Sequence, residues 1–200
     1  GGAYLPVMCD KYIIVKGGNM FLAGPALVKA AIGQNIDSET LGGAETHSSI
    51  SGTADYHEED DISGLDRIKS ILSHINFKVL TTINKGESVD PKNDCNDLLS
   101  LFDPQNPSSY NMIELISRLV DGSKFIEYKK DYGKTIICGT AKIGGYNIGI
   151  VANQKINVKT KLNEIQLGGV IYSDSADKAA RFIMNCNQDK IPLLFLHDVN

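Results

Sequence analysis

The chain has 200 residues, a formal net charge of -4, 42% hydrophobic and 22% charged residues. That is enough apolar sequence for a substantial core, and the mildly acidic balance argues against a surface that wraps bulk nucleic acid. No uncharged apolar run approaches the roughly 18–20 residues of a membrane span; the longest, Ile191 to Leu196, has the length of a strand.

In chain order, Ala3 to Asp10 predicts a short helical turn, with Pro6 in the first turn, where proline is tolerated. Tyr12 to Val15 and Met20 to Ala23 read as short strands separated by a turn at Gly17-Gly18. Pro25 starts a compact helix over 26–32, and Gly33 ends it. Residues 37–56 read as loop with one short helix. Asp60 or Asp61 then caps a helix whose apolar positions Ile62, Leu65, Ile68, Ile71, Leu72 and Ile75 recur at helical spacing. Residues 84–109 are rich in Asn, Asp and Pro and form the best linker candidate, with one apolar patch, Leu98 to Phe102, expected to dock on a domain. This gives three segments: a first domain over 1–83, a linker over 84–109 and a second domain over 110–200.

Met112 to Val120 predicts an amphipathic helix, ended by Asp121-Gly122. Thr135 to Ile143 and Tyr146 to Asn153 read as a hairpin closed by Gly144-Gly145. Ile165 to Tyr172 is a further apolar stretch. Ser173 or Asp174 then caps a helix of roughly 13 residues, and Ile191 to Val199 reads as a buried strand. Helices alternate with strands, which argues for an α/β class.

Nineteen glycines include five tandem pairs: Gly1-Gly2, Gly17-Gly18, Gly42-Gly43, Gly144-Gly145 and Gly168-Gly169. Such pairs suit tight turns or close approach to a ligand. Cys9, Cys95, Cys138 and Cys186 lack CxxC spacing, so reduced thiols are expected rather than a disulfide framework or a zinc site. The chain starts at Gly1 and stops beside an apolar strand, so it reads as an internal piece of a longer subunit.

Few motifs carry chemistry by themselves. There is no nucleophile elbow, Walker loop or HExxH pattern. The acidic run from His57 to Asp61 is expected to favour a helix N-terminus electrostatically rather than hold a metal. His197 and Asp198 are adjacent on a strand, so they point to opposite faces and cannot form a dyad. Lys155, Lys159 and Lys161 have the even spacing of one strand face, as a solubilising edge or, less favoured, a phosphate contact.

Several longer runs carry a resemblance. Gly1 to Asp10, Phe21 to Gly33, Leu41 to His47 with Ser51-Gly52, Val120 to Tyr128, Gly149 to Asn153, Gly169 to Phe182 and Pro192 to Leu196 are similar to the carboxyltransferase (beta) subunits of biotin-dependent acyl-CoA carboxylases. The match is nearest the methylcrotonyl-CoA and propionyl-CoA carboxylase branch. The resemblance implies an α/β, crotonase-like (ClpP/crotonase) β-β-α superhelix, with parts of two such domains. It implies transfer of a carboxyl group from carboxybiotin to an acyl-CoA through a thioester enolate. Biotin would be carried by a biotin carboxylase/biotin carboxyl carrier (alpha) partner, approaching from the C-terminal domain of another subunit in a homo-oligomer. No metal is expected in this subunit. The location implied is cytoplasmic for a bacterial source and the mitochondrial matrix for a eukaryotic one.

The same resemblance assigns residues. Gly1 and Gly2 match glycines whose amides form the oxyanion hole for the enolate, with Ala3 and Tyr4 beside them. Ala23, Gly24 and Pro25 match a segment near the thioester and pantetheine path. Gly42, Gly43 and His47 match a site-lining segment, although His47 is equally readable as a structural histidine. A biotin-dependent acyl-CoA decarboxylase subunit, or an inactive crotonase-like assembly module, are the alternatives.

Overall fold

The computed structural model describes residues 2–75, 85–102, 105 and 109–199. They fall into two compact units that divide between Lys69 and Ser70. Gly1, the first of the two expected oxyanion-hole glycines, lies outside the described residues.

The first unit is built on a two-stranded parallel pair. Strand β1 (Ile13–Val15) lies beside β2 (Tyr56–Glu58), with Ile13 opposite Tyr56. Asp55 locks the strand entries: its Oδ2 accepts the Tyr12 amide at 2.9 Å and its own amide donates back to the Tyr12 carbonyl at 2.9 Å. Around the pair sit α1 (Tyr4–Val7), α2 (Pro25–Ile32), α3 (Ser38–Gly42), a π-helical turn (Thr46–Ile50) and α4 (Asp61–Leu72). Helix α2 starts on Pro25 after the extended cap Gly24 and ends where Gly33 turns left-handed at φ 74°. Asp37 caps α3 by accepting the Thr40 amide at 2.9 Å. Asp60 caps α4 by accepting the Ser63 amide at 2.7 Å.

Two expectations change in this unit. Met20 to Ala23 is no strand; its sheet-like contact is an isolated bridge between Asn19 and Gly43, and the Met20 amide goes to the Gly42 carbonyl at 2.8 Å. The Gly24-Pro25 break leaves too little chain for a ladder. The acidic run does not merely precede a helix: Glu58 belongs to β2 and holds Arg67 of α4 at 2.6 Å, while the guanidinium lies 5.3 Å over the Tyr56 ring. Capping falls to Asp60 alone.

The second unit is a four-stranded sheet in the order β3 (Phe125–Tyr128), β4 (Ile136–Ile143), β5 (Tyr146–Asn153), β8 (Leu193–Leu196). The first three strands are antiparallel; β5 and β8 are parallel and joined by a crossover through β6 (Val158–Lys159), β7 (Ile165–Gln166) and α6 (Ser173–Gln188). The period-2 alternation of β4 and β5 splits their side chains between two helices. Met112, Ile116 and Val120, in and just after α5 (Met112–Leu119), pack with Ile137, Ala141, Ile150 and Ala152. On the opposite face a β-carbon at Gly149 would press on Cys186 and Phe182 of α6, and the Phe182 ring lies 5.4 Å from Tyr128.

The hairpin closes as expected at Gly144 and Gly145, both left-handed at φ 58° and 83°. Asp121, just after α5, fills the turn: its two carboxylate oxygens accept the Gly144 and Gly145 amides at 2.8 and 2.7 Å. The stretch expected to link two domains is packed on this unit over its described part. Gly86 donates to the Gly145 carbonyl at 2.8 Å, Lys92 donates to Ser123 Oγ at 2.9 Å, and Cys95–Leu101 forms a 3-10 helix. The Phe102 ring rests 4.9 Å from Tyr110, so the apolar patch docks where one was expected.

Helix α6 runs 16 residues, three longer than the spacing suggested, and its cap is Tyr172, not Ser173 or Asp174. The Tyr172 amide donates to Ser175 Oγ at 2.9 Å, a reciprocal arrangement that shifts the start by one residue. The last strand is trimmed to Leu193–Leu196 because Pro192 has no amide to donate; its carbonyl instead accepts from Gly149 at 2.8 Å. The lysines do not share one strand face. β6 covers only Val158–Lys159, and Lys155 is buried and paired with Asp198.

Candidate functional site

A cavity of about 510 Å³ opens in the first unit. Its walls include Gly2, Ala3 and Pro6 from the α1 region, Tyr12 at the head of β1, and Met20 and Phe21 from the segment after the Gly17-Gly18 turn. The sequence explains this placement. Gly17 adopts φ 81° and Gly18 donates back to Val15 at 2.8 Å, so the chain reverses and returns past β1. Gly42 then holds the returning segment at Met20.

The N-terminal wall offers backbone rather than side chains. Helix α1 is one turn long, and its first amides have no intrahelical acceptor. Among the described residues, the amides of Gly2, Ala3 and Tyr4 donate to no protein acceptor. Nothing lies within 4 Å of where a β-carbon on Gly2 would stand, so a ligand can approach its backbone closely. Ala3 is buried, whereas the Tyr4 side chain is 64% exposed and is not part of the cavity wall.

Gly42, Gly43 and His47 act one layer behind the wall. A β-carbon on Gly42 would overlap the Met20 carbonyl oxygen and sit 2.8 Å from Phe21. One on Gly43 would collide with the Glu39 carboxylate. His47 Nε2 lies 2.9 Å from the Met20 carbonyl and Nδ1 lies 3.2 Å from Ser51 Oγ. A carbonyl only accepts, so Nε2 carries the proton and donates to Met20. The structure therefore supports the scaffold reading of this histidine.

Ala23, Gly24 and Pro25 lie apart from this wall. Gly24 caps α2, its carbonyl accepting the Leu27 and Val28 amides at 3.0 and 3.1 Å. Pro25 borders a separate shallow groove of about 340 Å³ with Lys29, Asn35 and Asp37. The structure thus brings Gly2 and Ala3 directly onto the cavity and places Gly42 and His47 in support of it.

Sequence reasoning missed Tyr12 and Pro6 as wall residues and treated Met20 and Phe21 as strand. Their signal was the return turn at Gly17-Gly18 followed by an apolar segment too short to pair. Burial raises the Tyr12 phenol above its ordinary pKa, so it stays protonated at neutral pH. The named wall side chains therefore supply no general base. Among the described residues no cluster of three His, Cys, Asp or Glu side chains could hold a metal ion, and no helix is long and apolar enough to cross a membrane.

The comparisons with known proteins follow this geometry. The carboxyl transferase domain family matches residues 1–200. The chain is 39% identical to a probable mitochondrial methylcrotonoyl-CoA carboxylase beta chain of Drosophila melanogaster, covering all of this chain and 35% of that protein. It is 40% identical to the mitochondrial methylcrotonoyl-CoA carboxylase beta chain of Dictyostelium discoideum, again over all of this chain and 32% of the relative. The chain thus spans about a third of the length of these curated relatives. The crystal structure of transcarboxylase 12S, described as a hexamer assembly with hydrolysed methylmalonyl-coenzyme A bound, superposes with a TM-score of 0.82 at 30% identity, covering all of this chain and 38% of that one. The α/β, crotonase-like fold class read from the sequence is shown by this likeness.

Proposed function

Because the chain belongs to the carboxyl transferase domain family along its whole length, we propose that it forms part of the carboxyltransferase component of a biotin-dependent acyl-CoA carboxylase. Its substrate would be an acyl-CoA of the methylcrotonyl-CoA or propionyl-CoA kind. The observation that carries this reading is the cavity wall formed by Gly2 and Ala3, whose backbone amides donate to no acceptor among the described residues.

Carboxyl transfer to an acyl thioester needs the α-carbon, or its vinylogous γ-carbon, to become nucleophilic. The charge that develops then sits on the thioester oxygen. Preorganised amides aimed at that oxygen stabilise it without reorganisation, and an apolar surround strengthens them by excluding water. Gly2 would donate to this oxygen, joined by Gly1. Ala3, Pro6, Met20 and Phe21 would enclose the acyl group. Gly42 and His47 would hold Met20 and Phe21 in place.

The wall side chains fit a co-substrate that brings its own base. Tyr12 is kept protonated by burial, and Pro6, Met20 and Phe21 carry no titratable group. Carboxybiotin, when its carrier presents it, supplies both the carboxyl group and a ureido nitrogen able to take the substrate proton. Ala23, Gly24 and Pro25, with Lys29 beside the second groove, would lie along the remainder of the acyl-CoA.

We read the working protein as a longer subunit in a homo-oligomer, served by a biotin-bearing partner subunit. Its location would be the mitochondrial matrix in a eukaryote, as for the named mitochondrial relatives, or the cytoplasm in a bacterium.

The test is a carboxylation assay of a full-length subunit containing this chain, together with its biotin-bearing partner. Acetyl-, propionyl- and methylcrotonyl-CoA are offered in turn. Biotin-dependent turnover of at least one branched or C3 acyl-CoA is expected, and Gly2→Val is expected to lower kcat strongly. Absence of turnover on all three, or full turnover in Gly2→Val, would overturn the reading or the role of Gly2 respectively.

A further inference from the structure

The cavity of the first unit holds one polar side chain that the proposed function leaves without a task. Of the residues lining it, only Tyr12 and Asn19 carry a side-chain hydrogen-bond donor. Asn19 is exposed, and its amide nitrogen donates to the Gly17 carbonyl at 3.1 Å. Tyr12 is half-buried, and its hydroxyl bonds to none of the described residues. Protein atoms do not enclose that hydroxyl either, so a molecule in the cavity can reach it.

Everything else in Tyr12 is fixed. Its amide donates to Asp55 Oδ2 at 2.9 Å, and its carbonyl accepts the Asp55 and Tyr56 amides at 2.9 and 3.2 Å. Its ring packs against the buried cluster of Ile14, Ala44 and Ala54. Backbone and ring are thus committed to the fold, and only the hydroxyl is left for a ligand. A donor held in place this way meets an acceptor without first reorganising. Burial raises the phenol's pKa, so it is a donor throughout the neutral range.

The chemistry of the site limits what the hydroxyl can meet. The acyl group of propionyl- or methylcrotonyl-CoA is hydrocarbon apart from its thioester, and the Gly2 amide serves the thioester oxygen in the proposed function. After transfer the acyl group carries a carboxylate, an acceptor that the substrate lacked. In a largely apolar cavity that charge needs a donor, and hydrogen bonds to a charged oxygen are roughly twice as strong as neutral ones. The Pro6, Met20 and Phe21 side chains cannot supply one.

We propose that the Tyr12 hydroxyl donates to the carboxylate newly placed on the acyl group, so that this site distinguishes a carboxylated acyl-CoA from the acyl-CoA it came from. The inference rests on the acyl-CoA reading of the cavity and adds a specificity residue to it. Tyr12 moves no proton in the reaction. As a donor it sets how tightly the carboxylated form is held, and with it how readily the site runs in reverse when that form is scarce.

The test is equilibrium binding to the full-length subunit by isothermal titration calorimetry. Two ligand pairs are used, each differing by one carboxylate: propionyl-CoA with methylmalonyl-CoA, and methylcrotonyl-CoA with its γ-carboxylated product. Wild type and Tyr12→Phe are compared on whichever pair wild type binds. Loss of a hydrogen bond to a charged group is expected to raise the Kd of the carboxylated ligand about tenfold or more, with the Kd of its uncarboxylated counterpart within about twofold of wild type. Without ligand, Tyr12→Phe should unfold in urea at the wild-type midpoint, because the hydroxyl has no partner to lose among the described residues. Equal weakening of both ligands makes Tyr12 a wall residue without selectivity and overturns the inference, as does unchanged binding of both. A destabilised unliganded Tyr12→Phe overturns it as well, by showing that the hydroxyl is bonded within the protein. A wild-type subunit that binds none of the four ligands overturns the acyl-CoA reading itself, and this inference falls with it.

Discussion

Gly42 and Met20 are locked together at the back of the candidate site: the Gly42 carbonyl accepts the Met20 amide at 2.8 Å, and a β-carbon on Gly42 would strike the Met20 carbonyl oxygen. The contact leaves no room for even one methyl group. Gly42→Ala must therefore push Met20 and Phe21 away from α3, and overpacking of this kind costs about 1–3 kcal/mol. Both displaced residues line the cavity, so the KM for the acyl-CoA should rise along with the loss of stability. Urea denaturation and steady-state kinetics of the full-length subunit test both halves; wild-type stability would show that the close approach is not a constraint.

His47 completes the same clamp, and its prediction separates a scaffold from a catalyst. Its ring spans the Met20 carbonyl and Ser51 Oγ, with both nitrogens engaged. Replacing it by alanine removes the donor to the Met20 carbonyl in a half-buried setting, at a cost of about 1–3 kcal/mol, while Ser51 Oγ keeps Thr53 Oγ1 at 2.8 Å. The shape of the kcat/KM against pH profile should survive, because the ring moves no proton in the reaction. Loss of a pH inflection in His47→Ala, at unchanged stability, would make it an acid–base residue.

The elements that were legible in the sequence are those whose signals are local. Gly33 ends α2 with a left-handed residue, and Gly144-Gly145 close the β4–β5 hairpin. Asn111 caps α5, whose apolar stripe then packs on the sheet. The errors are long-range. β3 and β2 were not anticipated because each is short and set by its partner strand. Lys155 looked like one of three solvated lysines because its spacing to Lys159 and Lys161 is even. Its actual partner, Asp198, lies 43 residues on. The candidate site divides the same way. Gly2 and Ala3 could be named by resemblance and do line the cavity, but no local pattern announced that Gly42 and His47 act through Met20 and Phe21.

Asp121 shows how a loop residue can stabilise a turn that already contains two glycines. Its carboxylate accepts the Gly144 and Gly145 amides at 2.8 and 2.7 Å, a charge-assisted pair across 23 residues of sequence. Asp121→Ala leaves both amides to solvent and should destabilise the second unit by about 1–3 kcal/mol, with Asp121→Asn in between because one acceptor oxygen remains. Amide hydrogen exchange gives the local readout: Gly144 and Gly145 should exchange faster in Asp121→Ala, while amides at the centre of β4 and β5 stay protected. Unchanged exchange at the two glycines would mean that the hairpin holds its turn without the carboxylate.

Two buried groups, one on each face of the second unit's sheet, make the fold sensitive to alkaline pH. Burial pushes the Cys138 thiol from 9.0 up to about 12. Burial, and then its hydrogen bond to Asp198, push the Tyr110 phenol from 10.0 up to about 12. In each case the folded protein keeps a proton that the unfolded chain has begun to release. The stability this provides is fully present below the unfolded value and is lost as pH climbs toward the folded one. Lys178, buried in α6, acts in the opposite sense: burial lowers its pKa below 10.5, so the penalty on its charged form fades as pH rises to that value. The thiol and phenol should dominate above the lysine's window. Wild-type stability is therefore expected to fall from about pH 10.5, above the lysine's window, to about 12. The stability difference between wild type and Cys138→Ala should shrink steadily from about pH 9 upward, and that between wild type and Tyr110→Phe from about pH 10. Urea denaturation across this range measures both differences, and a Cys138→Ala difference that does not change with pH would show that the thiol does not titrate with unfolding.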